Sequence, residues 1–210
     1  MINAFNVIKT ICQTLAVFRA RDLTDQKLVL GVAGMPGSGK SLVVKVAREN
    51  GYEAVVMGDI VRQEAERRGL QPNPENIGNI MLELREKEGK VVIAKRCMSK
   101  IEGARKRRVV VDGVRSLDEV EEFKRHFASF TLIAVCSSPE ARFERLYRRQ
   151  RSDDAEGWDV LHRRDMRELS VGLGSAIAMA EYTVVNDQAL DIVKNRVKQA
   201  LRKAEAAWKK

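Results

Sequence analysis

Gly34-Met35-Pro36-Gly37-Ser38-Gly39-Lys40-Ser41 is the stretch from which the rest of this chain is read. It matches G-x-x-x-x-G-K-[ST], a phosphate-binding loop, which requires a strand before it and a helix after it. Both flanks are present. Leu28-Val29-Leu30-Gly31-Val32-Ala33 is an apolar run of strand length, and the apolar positions of 42–50 suit a helix packed on a sheet. Gly34, Gly37 and Gly39 free the backbone for conformations that other residues resist. Successive N–H groups then face one anion beside the positive end of the next helix. Lys40 places a point charge on the outer phosphates, and the Ser41 hydroxyl can hold Mg2+. The whole span, Met35, Pro36 and Ser38 included, is therefore the expected ATP site. A plain Gly-rich turn with a surface lysine would not require both flanks.

Outward from the loop, strands and helices alternate. Tyr52 to Met57 reads as a second strand, followed by Gly58-Asp59 and a helix from Ile60 that Gly69 stops. Asn73-Pro74-Glu75 is a helix start, an N-cap followed by proline in the first turn. A basic helix is expected over roughly 90–106. Val109-Val110-Val111-Asp112 is a short buried strand, and Ser116 to Glu119 is a capping-box signature. Phe130 to Cys136 is the fourth strand, and Ser138-Pro139-Glu140 opens an arginine-rich helix. A polar loop from Ser152 to Gly157 leads to a helix holding Arg163, Arg164 and Arg167, and Gly172 and Gly174 interrupt the chain after it. Tyr182 to Val185 is the last strand, ending at Asn186-Asp187 before a basic C-terminal helix. Five strands alternating with helices predict an α/β fold, a parallel sheet covered on both faces. Ligands of such sheets bind at the carboxyl ends of the strands.

At 210 residues the chain suits one domain, and 44% hydrophobic content is that of an ordinary globule. The +9 charge concentrates in two stretches, 95–108 and 194–210, each with seven Lys/Arg against one Glu. Both read as solvated helical faces rather than a nucleic-acid surface, with RNA contact kept as the alternative partner. Cys12, Cys97 and Cys136 are far apart and lack metal-ligand spacing, which suggests a reducing, cytoplasmic setting. No apolar run reaches membrane-spanning length, and no signal peptide is read. Residues 2–21 place Ile2, Phe5, Ile8, Cys12 and Leu15 on one helical face, which suits packing on the domain or a homodimer contact.

Asp112 ends a strand where a carboxylate can orient the water shell of Mg2+. Asp59 reads equally as an N-cap for the helix at Ile60 or as a base. Arg62 and Arg115 each sit one short step past a strand, where a guanidinium fork matches phosphate oxygens. Arg142, Arg145 and Arg149 share a helical face, and Arg148 and Arg151 extend it. So many like charges call for an anion to join them, which a closing lid over transferring phosphates would supply.

The chain resembles the adenylate-kinase family of P-loop nucleoside-monophosphate kinases. Gly58-Asp59-Ile60-Val61-Arg62 is similar to its Gly-Asp-x-x-Arg segment, and Asp112-Gly113-Val114-Arg115 to its Asp-Gly-x-x-Arg segment, here without the usual proline. The nearest likeness is to an archaeal adenylate-kinase-related group, also described as dephospho-coenzyme A kinase-like, in which stretches like 164–174 recur. The resemblance covers about residues 28–195 and implies a P-loop NTPase α/β/α sandwich with strand order 2-3-1-4-5. It also implies acceptor-binding helices over 58–106 and a lid over 142–167, with 1–27 as an N-terminal extension and 196–210 as a basic helix end. The implied acceptor set is Gly58, Asp59, Arg62, Arg85, Asp112, Gly113 and Arg115. The implied catalytic set is Lys40, Arg115, Arg148, Arg149 and Arg151, with Asn186 near the donor base. The expected activity is transfer of the γ-phosphoryl group of ATP to a nucleoside monophosphate. The alternatives are transfer to a hydroxyl acceptor and an acceptor-independent regulatory ATPase.

Overall fold

The computed structural model describes residues 27–149 and 157–208. The expected helix over 2–21, and Arg151 with most of the polar loop, lie outside the described residues. Five strands form one parallel sheet among the described residues: β1 (Leu28–Ala33), β2 (Glu53–Val56), β3 (Arg108–Asp112), β4 (Ser129–Cys136) and β5 (Tyr182–Val185). Their order is β2-β3-β1-β4-β5, the order the family resemblance implied. β1 sits centrally, with Val29 opposite Val109 on one side and Phe130 on the other. A strand buried on both faces has no reason to alternate with polar residues, which is why β1 reads as a continuous apolar run.

The period-2 alternation of β1 splits its side chains between two cores. Leu28, Leu30 and Val32 face a layer built with Val43, Val46, Val197 and Leu201 from helices α1 (Lys40–Glu49) and α9 (Leu190–Trp208). Val29 and Ala33 face the other layer, with Phe123, Ile93 and Met57. That layer is built by α2 (Met57–Arg67), α3 (Pro74–Glu88), α4 (Val92–Glu102), α5 (Leu117–His126) and α8 (Leu173–Ala178). Gly31 belongs to this face because the Phe130 ring lies over it: a Cβ there would come within 2.6 Å of Cζ. The remaining helices, α6 (Pro139–Arg149) and α7 (Trp158–Val171), pack through Leu146 and Leu161, with the Phe143 ring stacked 4.4 Å from Trp158.

Several local expectations meet their caps. Asn73 Oδ1 accepts from Asn76 N at 2.8 Å, and Ser116 Oγ accepts from Glu119 N at 3.2 Å. The reciprocal half of the capping box differs: Glu119 reaches back to Arg115 N rather than to the cap residue. Asp59 is not an N-cap, because α2 begins at Met57 directly after β2 and Asp59 falls in its first turn. Gly172 ends α7 in a left-handed conformation, whereas Gly174 lies inside α8. The boundary expected after residue 195 falls within α9, whose buried face runs from Val193 to Ala204. Its basic residues are the outer face of a core helix.

Candidate active site

β1 delivers the glycine loop to the carboxyl edge of the sheet, and α1 starts at Lys40. Gly39, the cap of that helix, has φ 97°, and a Cβ on it would lie 1.9 Å from Asn186 Nδ2. Only glycine meets both conditions. It also brings no side chain to cap the helix, and no acidic residue occupies the first turn. The helix N-terminus, with its N–H groups and positive dipole end, is thus kept for an anion.

The loop's carbonyls are held from behind. Arg142 Nη1 donates to Pro36 O at 3.0 Å, Arg145 Nη1 to Gly37 O at 3.3 Å, and Asn186 Nδ2 to Ser38 O at 2.8 Å. Carbonyls that would repel a phosphate are thereby occupied by donors. Lys40 Nζ bonds Gly34 O at 2.7 Å and Met35 O at 3.2 Å. Burial pushes the Lys40 ammonium down to about 8, with the Asp112 charge partly opposing the shift. In the free protein its proton therefore leaves near pH 8, while the unfolded chain holds it to the ordinary lysine value of 10.5. Two results are expected. First, kcat/KM for ATP falls as pH rises through about 8, because the free protein loses the charge that meets the phosphates. Second, folding stability rises with pH between about 8 and 10.5, where the unfolded chain binds the extra proton. A flat kcat/KM profile from pH 7 to 9.5 would overturn the first.

A cleft of about 1040 Å³ opens beside the loop, walled by Lys40, Ser41, Asp59, Arg62, Asp112 and Arg149 among others. A smaller chamber of about 110 Å³ adjoins it, where Arg62, Arg115, Arg149 and Arg164 gather with Gly58, Gly113 and Glu168. Asp112 Oδ1 is buried there without a hydrogen-bond partner. An unsatisfied carboxylate oxygen in the same cleft as the Ser41 hydroxyl fits a hard cation or its water shell. Among the described residues no group of three or more His, Cys, Asp or Glu is placed to hold a metal ion.

Not every expected residue is part of this wall. Arg85 is buried away from it: Nη2 is 2.6 Å from Glu119 Oε1, and burial lowers its pKa. Arg148 is 80% exposed, 3.6 Å from Glu144 one turn back, because its position on α6 faces solvent. Asn186 is buried against the loop and braces it at Ser38 O. The anion that joins Arg142 is Asp165, in a two-pronged pair at 2.9 and 2.6 Å, and Arg145 lies 3.7 Å from Asp187. Arg149 alone of the α6 set lines both cleft and chamber. Arg62 is 2.6 Å from Asp59, and both line the cleft.

The sequence marks Arg164, beside Asp165, as a candidate at the lid's far edge and assigns no role to Arg167 or Glu168. Their spacing of three and four put them on one face of α7, and Asp165 beside them binds Arg142. Arg115 Nε donates to Glu168 Oε2 at 2.6 Å. Burial alone would raise the Glu168 carboxyl, but the charges of Arg115 and Arg164 outweigh it and hold it below the usual range. Burial likewise works against the Arg115 charge, and Glu168 and Glu119 reverse the effect.

The AAA domain family matches residues 33–162. A UPF0200 protein of Hyperthermus butylicus is 46% identical over 175 residues, spanning 83% of this chain and 94% of its own. Among solved structures, TT1252 from Thermus thermophilus aligns with a TM-score of 0.61 at 15% identity, over 84% of this chain and 97% of its own. Shikimate kinase from Acinetobacter baumannii, in complex with shikimate, aligns with a TM-score of 0.54 at 16% identity, over 89% and 98%. At these identities the structural likenesses speak for the fold alone: a kinase-like P-loop architecture.

Proposed function

We propose that this chain, which belongs to the UPF0200 protein family, is an ATP-dependent phosphotransferase whose acceptor is a nucleoside monophosphate. The observation that carries this reading is the chamber next to Lys40 and Asp112, where Arg62, Arg115, Arg149 and Arg164 meet. Guanidinium groups on that side of the loop suit a second phosphate facing the first. A phosphate monoester, with second pKa near ~6, is already a nucleophile at neutral pH and needs positioning rather than a base. In this reading Lys40 and the loop amides hold the donor's outer phosphates, Arg62 and Arg115 hold the acceptor phosphate, and Arg149 and Arg164 stabilise charge on the transferred group. Ser41 and Asp112 would hold Mg2+, which neutralises phosphate charge when bound. The helices over 58–106 would form the acceptor side and 142–167 the lid region.

The rival acceptor is a hydroxyl, for which Asp59 would serve as base. Asp59 Oδ1 already accepts from Arg62 Nε at 3.2 Å and Nη2 at 2.6 Å, which favours the phosphate acceptor. An ATP-dependent screen of AMP, GMP, CMP, UMP, dTMP and dephospho-coenzyme A, read by product mass, tests the two. Product from dephospho-coenzyme A alone would overturn the monophosphate reading. So would ATP hydrolysis unaltered by any acceptor, which would favour a regulatory ATPase. Arg62→Ala is expected to raise the acceptor's KM by roughly tenfold or more with kcat less affected, since it removes a charge-assisted grip made before the transition state. Unchanged acceptor kinetics in Arg62→Ala would remove that residue from the acceptor site.

A further inference from the structure

The arginine chamber continues past Glu168 into a slot of about 60 Å³. Gly58, Arg62, Arg115, Arg164 and Glu168 line both and so mark the junction. The far end belongs to Val61, Pro74, Ile77, Gly78, Met81 and Arg167. Five of these six offer only apolar or backbone surface, so Arg167 is the one polar side chain there. Its guanidinium crosses from α7 to lie on α3 at Gly78, where a Cβ would be 2.2 Å from Cζ. Nη2 donates to Pro74 O at 3.2 Å, while Nε is buried with no partner. A buried N–H without an acceptor is costly and rare. A guanidinium offers donors only, never an acceptor. Glu168, the carboxylate at the junction, is engaged by Arg115 at 2.6 Å.

We propose that Arg167 is the specificity-determining residue for the acceptor: the slot takes the nucleobase and selects one with a keto oxygen at C6 of a purine or C4 of a pyrimidine, as in guanine, uracil and thymine, over adenine and cytosine, which carry an amino group there. This rests on the monophosphate reading above and names its substrate class. The slot is smaller than a base while Arg167 lies across it. A base therefore enters as the guanidinium lifts from Gly78, exchanging its Pro74 contact for the keto oxygen and giving Nε–H an acceptor. An amino group in that place would set donor against donor in a dry site, and the orphaned N–H would stay orphaned. Guanine with adenine, and uracil with cytosine, are pairs of nearly equal size that differ at this position.

The test measures equilibrium binding of GMP, AMP, UMP and CMP by calorimetry on the full chain, alongside turnover of each with magnesium-ATP. GMP over AMP and UMP over CMP are each expected by about tenfold or more in affinity, the scale of one good guanidinium–base contact. Arg167→Met should bring both ratios close to one. Gly78→Ala keeps every charge and only lifts the guanidinium from α3, as base entry does, so both ratios should persist in it; alanine suits a helix interior. Ratios near one in the unaltered protein, AMP binding more tightly than GMP, or ratios unmoved in Arg167→Met would overturn the assignment. Ratios as expected but no phosphorylated monophosphate would leave the slot's selectivity standing and sink the transfer reading. No binding of any of the four would sink both.

Discussion

Lys40→Ala is expected to lower phosphoryl transfer to every acceptor by about 10³-fold, the scale of removing a fixed donor from developing transition-state charge. The lysine does two things that this change removes together. Its Nζ sits 2.7 Å from Gly34 O and 3.2 Å from Met35 O, tying the loop's entry to the start of α1. In the proposed reading its charge also meets the outer phosphates. Lys40→Arg separates the two. A guanidinium keeps the charge but is planar and wider than an ammonium, so Lys40→Arg should fold and still turn over poorly. The matching binding readout is thermal: ATP should raise the unfolding temperature of the unaltered protein by mass action, and that rise should disappear in Lys40→Ala. Retention of more than about a tenth of the turnover by a folded Lys40→Ala protein would be incompatible with a phosphate loop at work here.

The largest effect on stability is expected at Glu119, which is fully buried. Its carboxylate accepts from Arg85 Nη2 at 2.6 Å and from Arg115 N at 2.8 Å. Glu119→Ala leaves the Arg85 guanidinium buried against α5 without its counter-charge, a loss of about 3–5 kcal/mol. For a chain of this size that lowers the unfolding temperature by roughly 6–20 °C. Removing both charges is different, because a buried pair contributes little beyond its own desolvation. Glu119→Leu combined with Arg85→Met should therefore recover most of the loss. If the double change is as unstable as the single one, the cost comes from packing or from the Arg115 backbone contact. The pair also explains why Arg85 stays out of the cleft: its guanidinium is held 2.6 Å from Glu119 on α5.

The sheet was legible from the sequence because both signals it needs are local. An apolar run reports burial on two faces, and the spacing of three glycines, a lysine and a serine reports a backbone that can wrap an anion. The positions at the strand ends were legible for the same reason: Asp112 ends β3, Arg115 and Arg62 come after β3 and β2, and the carboxyl edge of a parallel sheet gathers them. Helical arginines were harder. Arg142, Arg145, Arg148 and Arg149 lie within two turns of α6, and periodicity gives their angular positions but not what each angle faces. Arg142 meets Asp165, which is 23 residues on, and the loop at Pro36. Arg145 reaches Gly37 and Asn186, Arg148 reaches solvent, and Arg149 reaches the cleft.

By itself, then, the sequence determined the phosphate loop, the alternation of strands and helices, and the charged residues set down at the ends of β2 and β3. These depend on neighbours in the chain. The packing of α6, α7 and the turn after β5 decided the rest: that Asn186 supports a carbonyl 148 positions away, that Glu168 pairs with Arg115, and that Arg167 lies over Gly78. Contacts across such separations are set by how helices pack on the sheet, and no periodicity along the chain encodes which side chain will stand opposite another.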